Sequence, residues 1–191
     1  MLGLGTDQAN ATYRELVARV RGGDFAVDFR TLRMACARSN ICEPRAKPDD
    51  LAAMNVAVAE PRLNDAADIC EKLVNQGFIN IEAHMVCGQT YSQLNKAEQS
   101  KFHMDVMTAL LRSILDAGDG KTEATAYEVI SVREEYIVLA AMGLPNFGNA
   151  GASRRTVAEG GHQYERWEVR NPKTQADVVV FFNIDAVPPT K

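Results

Sequence analysis

The sequence contains no apolar run approaching the roughly 20 residues that a membrane-spanning helix requires, and no transmembrane segment is expected. It has no stripe of Lys and Arg either. The densest basic pair is Arg154-Arg155 and the formal net charge is −4, which argues against nucleic acid as a partner. Its opening, MLGLGTDQAN, has neither a basic n-region nor an apolar h-region, so no export signal is expected within it. The expected location is periplasmic or envelope-associated if a signal has been removed, and otherwise cytoplasmic. Enzyme motifs are equally scarce. Gly-x-Ser-x-Gly, CxxC and HxxxH are missing, and there are only three histidines, which removes the common hydrolase elbow and the common zinc spacings.

What remains is ordinary globular composition. With 46% hydrophobic and 24% charged residues over 191 positions, the chain can bury one core, and a single domain over residues 1–191 is expected. Its first part, about residues 10–117, reads as helices. Thr12-Tyr13-Arg14-Glu15 has capping-box spacing before Leu16, Val17 and Val20, with Gly22-Gly23 as the stop. Asp28 can cap a second helix. Pro44 and Pro48 break the loop that follows, and Asp49 or Asp50 opens a third helix. A fourth runs from Pro61 to about Asn75. The strongest pattern is Phe102, Val106, Leu110 and Ile114, an apolar face expected to end at Gly118.

In the part from about residue 123 to 186 the period shortens. AYEVISV and EYIVLAAM are rich in β-branched and aromatic residues and read as two strands turning at Arg133-Glu134, with a short helix over Glu134–Met142 as the alternative. A Gly/Asn-rich loop, Gly143 to Gly151, precedes three further segments. SRRTVAE, QYERWEVR and ADVVVFFNI, joined at Gly160-Gly161 and Asn171-Pro172-Lys173-Thr174, have the pattern of an antiparallel meander. The fold expected is therefore α+β, with N-terminal helical hairpins followed by a C-terminal β meander packed against them.

Several groups invite a chemical reading. Cys36 and Cys42 flank a short polar segment that can close on itself. Cys70 and Cys87 lie at similar distances from a turn at Gly77-Phe78, so antiparallel helices would bring their sulfurs together. Two disulfides or four buried thiols are both compatible with the count. His84 and Cys87 are three apart on one helix, Cys70 can face them across the turn and His103 lies on the next helix, four soft ligands for a zinc-like site but without standard spacing. AGDGKT, residues 117–122, is not a phosphate loop: five places before Gly120 stands Leu115, and a helix precedes it. It reads instead as a helix end, with Gly118 supplying a left-handed residue and Asp119 orienting nearby polar groups. Thr125, Tyr127, Glu134, Glu135 and Tyr136 complete a polar cluster that is a candidate binding site.

Two resemblances follow from these residues. The stretch AHMVCGQTYSQLNKAEQSKFH, with Gly88 three before Tyr91, resembles one degenerate tetratricopeptide unit, which implies antiparallel helix pairs. The block SILDAGDGKTEATAYEVISVREEY, with AHMVCGQTY and FH upstream and VVFFNI near the end, resembles an uncharacterised bacterial family of the domain-of-unknown-function type. That resemblance implies matching roles for His84, His103, Gly118, Asp119, Gly120, Thr125, Tyr127, Glu134, Glu135 and Tyr136. It implies no reaction, and members that are often envelope or exported proteins. The function expected is a non-enzymatic, protein-binding protein of the bacterial envelope, specifically an immunity-type protein neutralising a secreted antibacterial toxin, with no metal or cofactor. The alternatives are a hydrolase or metal-dependent enzyme using His84, His103, Asp119 and Glu134, and a peptide-binding scaffold.

Overall fold

The computed structural model describes residues 5–43, 48–59, 62–145 and 152–187. Pro44, Pro61 and the later part of the Gly/Asn-rich loop, residues 146–151, lie outside the described residues. The fold is α+β, with helices first and a four-stranded sheet after them. The chain divides into two compact units, residues 1–111 and 112–191.

The first unit is helical: α1 (Thr6–Arg21), α2 (Phe29–Arg38), α3 (Pro48–Ala59), α4 (Leu63–Gln76), α5 (Ile81–Gln93) and α6 (Ala97–Leu115), whose last turn belongs to the second unit. Helix α1 starts well before the Thr12 capping box, with Gly5 at its N-cap. Ala9, Tyr13, Leu16 and Val20 form one buried stripe, and burial of the upstream turn carries the helix straight through Thr12. Asp28 does cap α2, accepting from the Arg30 N–H at 2.9 Å and the Thr31 hydroxyl at 2.6 Å. Pro48 occupies the first position of α3, where its missing N–H removes no helical bond.

Consecutive helices pack as pairs, α1 with α2, α3 with α4, and α4 with α5. Two disulfides tie this unit: Cys36 to Cys42 (Cα–Cα 5.3 Å), and Cys70 of α4 to Cys87 of α5 (Cα–Cα 5.5 Å). The Gly-x-x-Tyr of the tetratricopeptide-like stretch has a physical cause. A Cβ on Gly88 would come within 2.6 Å of the Met104 sulfur, so any larger residue there would push the Met104 side chain of α6 aside, and the Ser100 hydroxyl donates to the Gly88 carbonyl at 2.7 Å.

The second unit contains a 3₁₀ turn (Glu123–Thr125), β1 (Tyr127–Glu128), α7 (Val132–Ala141), β2 (Ala152–Glu159), β3 (His162–Arg170) and β4 (Asp177–Asn183). Sheet order is β1-β4-β3-β2, with β2, β3 and β4 the antiparallel meander. The sheet is nevertheless mixed, because β1 pairs with β4 in parallel, Tyr127 opposite Phe182. Gly160 and Gly161, at φ of 60° and 83°, form the tight β2–β3 turn that positive φ at both positions permits.

The two-strand reading of 126–142 is overturned in favour of its helix alternative. Only Tyr127–Glu128 is strand, and residues 135–141 lie in α7, with Met142 at its C-cap. Ser131 and Glu134 decide it. The Ser131 hydroxyl faces the Glu134 N–H at 3.4 Å, and Glu134 Oε2 accepts at 2.9 Å from the N–H of Ile130, the residue before the N-cap; together these bonds start a helix. Glu134 and Glu135 then sit in the first turn, where the helix dipole favours carboxylates.

Candidate functional site

The candidate site residues fall into two groups. His84 and His103 belong to the first unit, and Asp119, Thr125, Tyr127, Glu134, Glu135 and Tyr136 to the second.

The second group is chiefly architectural. Asp119 accepts from the Lys121 N–H (3.1 Å), the Lys121 ammonium (2.8 Å) and the Thr125 hydroxyl (2.7 Å). Hydrogen bonds from Lys121 and then Thr125 hold its carboxyl far below the usual carboxylate range. The knot is a turn. α6 already ends at Leu115, and the left-handed residue is Gly120, at φ 67°, rather than Gly118. Gly118 is needed for another reason: a Cβ there would collide with the Thr125 carbonyl. The Gly120 N–H donates to that same carbonyl at 2.8 Å, its own carbonyl accepts from the Phe181 N–H, and the Tyr127 ring lies beneath it. Glu135 is fully buried and its Oε2 accepts from the Trp167 indole N–H at 2.7 Å, while the Tyr136 ring meets Trp167 edge-on. Burial pushes the Glu135 carboxyl up to about 7, against the opposing pull of that hydrogen bond and of Arg154.

The first group converges. His84 on α5 and His103 on α6 are both buried, and their Nδ1 atoms are 3.0 Å apart. His84 Nε2 lies 2.8 Å from the Phe78 carbonyl, which can only accept, so Nε2 carries the proton. Burial, followed by repulsion from His103, lowers the His84 pKa to about 3; the ring is neutral and its Nδ1 is an acceptor. His103 Nδ1 must then donate. On its other side, His103 Nε2 is 3.1 Å from Glu71 Oε1, which also accepts from the Tyr91 hydroxyl at 2.9 Å. The contact with His103, ahead of that with Tyr91, lowers the Glu71 pKa, while burial and the neighbouring carboxylate raise Tyr91 to about 12. Nε2 and a carboxylate oxygen therefore face each other with a single proton to share.

This relay borders a cleft of about 450 Å³ lined by Arg21, Glu71, Val74, Phe78, Glu98, Gln99, Phe102 and His103. Phe25 packs edge-on against Phe102, and the Arg21 guanidinium lies 5.4 Å from the Phe78 ring centre. Cys87 Sγ, a Glu71 oxygen and a His103 nitrogen all lie within 4.8 Å of one another, although Cys87 is bonded to Cys70.

Glu71 was not legible as a site residue. The available signal was on α5, where His84, Cys87 and Tyr91 at i, i+3 and i+7 mark one face. The hairpin to α4 sets Glu71, next in sequence to Cys70, opposite it.

A family model for a domain of unknown function, DUF4919, matches residues 9–187. The chain belongs to that family. Neither a curated protein nor a solved structure matches it. The DUF4919 description names no reaction or ligand, so the chemistry must be read from the residues themselves.

Proposed function

We propose that this DUF4919 protein is a non-enzymatic protein-binding protein of the bacterial envelope, in its most specific form an immunity-type protein that masks a secreted antibacterial toxin. The observation that carries the reading is the cleft of the first unit. Its walls include the Phe78 and Phe102 rings, and the Glu71 and Glu98 carboxylates stand on its lining. Such a cleft suits a Lys or Arg side chain presented by a basic partner: the half-buried Phe102 ring covers the aliphatic stem, and the Glu71 and Glu98 carboxylates, opposed by Arg21 on the same lining, meet its charge. A net charge of −4 would speed the encounter with a basic toxin at low salt. Asp119 and Glu134, the carboxylates of the enzyme alternative, are engaged in turn and helix hydrogen bonds.

The experiment is a binding titration of the purified chain against basic toxin candidates encoded beside its gene. Saturable equimolar binding that weakens as salt rises, and is lost in Glu98→Lys, supports the proposal. Titrations in which none of those candidates binds reject it.

A further inference from the structure

The Glu71–His103 contact is built from two acceptors. Once the carboxylate is ionised and Nδ1 of His103 is committed to His84, the 3.1 Å gap between Nε2 and Oε1 closes favourably only around a positive charge. A proton is one such charge. A divalent ion is another, because ligands at about 2.0–2.2 Å in a tetrahedron stand about 3.3–3.6 Å apart, close to the gap seen here. Third in the group is the Cys87 sulfur, within 4.8 Å of both. As half of a disulfide it has no thiolate to offer. Reduced, Cys87 and its former partner Cys70 provide two.

We propose that reduction of the Cys70–Cys87 disulfide opens a zinc site formed by Cys70, Cys87, His103 and Glu71. The disulfide takes two electrons and two protons from a dithiol reductant, which itself closes to a disulfide. Each thiol then releases its proton to solvent as the zinc ion binds, and the proton between His103 and Glu71 is displaced. Two sulfurs, one imidazole nitrogen and one carboxylate oxygen make a donor set suited to zinc.

Three features beyond the ligands support the site. Both oxygen and nitrogen donors already have an outer partner that orients them, Tyr91 donating to Glu71 and His84 accepting from His103, as metal-bound carboxylates and imidazoles characteristically do. His84 is in turn fixed by the Phe78 carbonyl. The cleft reaches the partly exposed Glu71 and the buried His103 directly, which gives an ion a path to both. In an oxidising compartment the disulfide joins α4 to α5. Under reducing conditions the ion takes over that link. The inference does not depend on toxin binding and stands or falls separately from it.

The test uses the full chain, metal-free, with and without a non-chelating phosphine reductant, titrated with cobalt(II) and then zinc. The reduced chain should bind one equivalent of cobalt with the visible bands of a tetrahedral ion and the near-ultraviolet band of thiolate ligation, and zinc should displace it. The oxidised chain should show neither. His103→Gln and Glu71→Gln should each weaken binding by roughly tenfold or more, while Cys36→Ser/Cys42→Ser should leave it unchanged. A reduced chain that takes up no ion overturns the proposal, whether it stays folded or not. Equal binding by the oxidised chain also overturns it. So does thiolate ligation that survives His103→Gln at full affinity, since that would belong to loose thiols.

Discussion

Replacing Glu135 by Gln should remove a pH dependence that the wild-type protein carries. The carboxyl is fully buried, with Trp167 donating to one oxygen and Arg154 only within 4.0 Å of it. Desolvation dominates and the pKa rises from 4.5 to about 7. A folded-state value above the unfolded one means that folding takes up a proton between the two. The corresponding stability is complete below about pH 4.5 and is lost as pH rises through about 7. Shifting a carboxyl by that amount is worth about 3 kcal/mol. Above pH 8, Glu135→Gln should therefore be more stable than wild type by up to about 3 kcal/mol, with the loss of attraction to Arg154 subtracting from that figure. The amide keeps an oxygen for the Trp167 N–H. Two readouts follow. Urea denaturation across pH 5 to 9 should show a falling wild-type stability that the variant lacks. Trp167 is the chain's only tryptophan, so its emission should titrate near pH 7 in wild type and not in Glu135→Gln. A flat wild-type emission, or the same titration in both proteins, would refute the reasoning.

Three other consequences can be measured. Removing the Cys70–Cys87 bridge in Cys70→Ala/Cys87→Ala should cost about 3 kcal/mol in chemical denaturation, because its 17-residue separation constrains the unfolded chain. Gly120→Ala should cost about 1–3 kcal/mol, since its φ of 67° and the Tyr127 ring 2.5 Å from the added carbon both oppose a side chain; thermal melts would show the loss. Nitrogen NMR should find the His84 ring neutral, with its proton on Nε2, across about pH 5 to 8, as a pKa near 3 and the Phe78 carbonyl require.

Most of the helical unit was legible because its signals are local. Asp28, Pro48 and the Phe102–Ile114 stripe act within one turn of the chain. The meander was legible for the same reason, since Gly160-Gly161 and Asn171 set its turns over a few residues. Residues 126–142 misled because β-branched composition outweighed a four-residue cap. Ser131-x-x-Glu134 lay in the sequence, and the bonds of Glu134 to the Ser131 hydroxyl and the Ile130 N–H govern the backbone more strongly than the propensity of Ile and Val. The parallel β1–β4 pair brings Tyr127 against Phe182, a separation no periodicity reports. The site was half legible. The histidines and cysteines were visible as residue types, but Glu71 becomes significant only when α4 and α5 fold back on one another. In the polar cluster, Asp119 and Thr125 do meet, whereas Glu134 and Glu135 turn to α7's own start and to Trp167.

The most direct test of the binding reading is a calorimetric titration of the chain and its Glu98→Lys variant with a basic toxin encoded beside its gene. Equimolar binding by the wild type, weakened at least about tenfold by the charge reversal in the cleft, is the expected result. Equal affinity of the two proteins would contradict the assignment of the Glu71–Glu98–Phe102 cleft as the surface that recognises the partner.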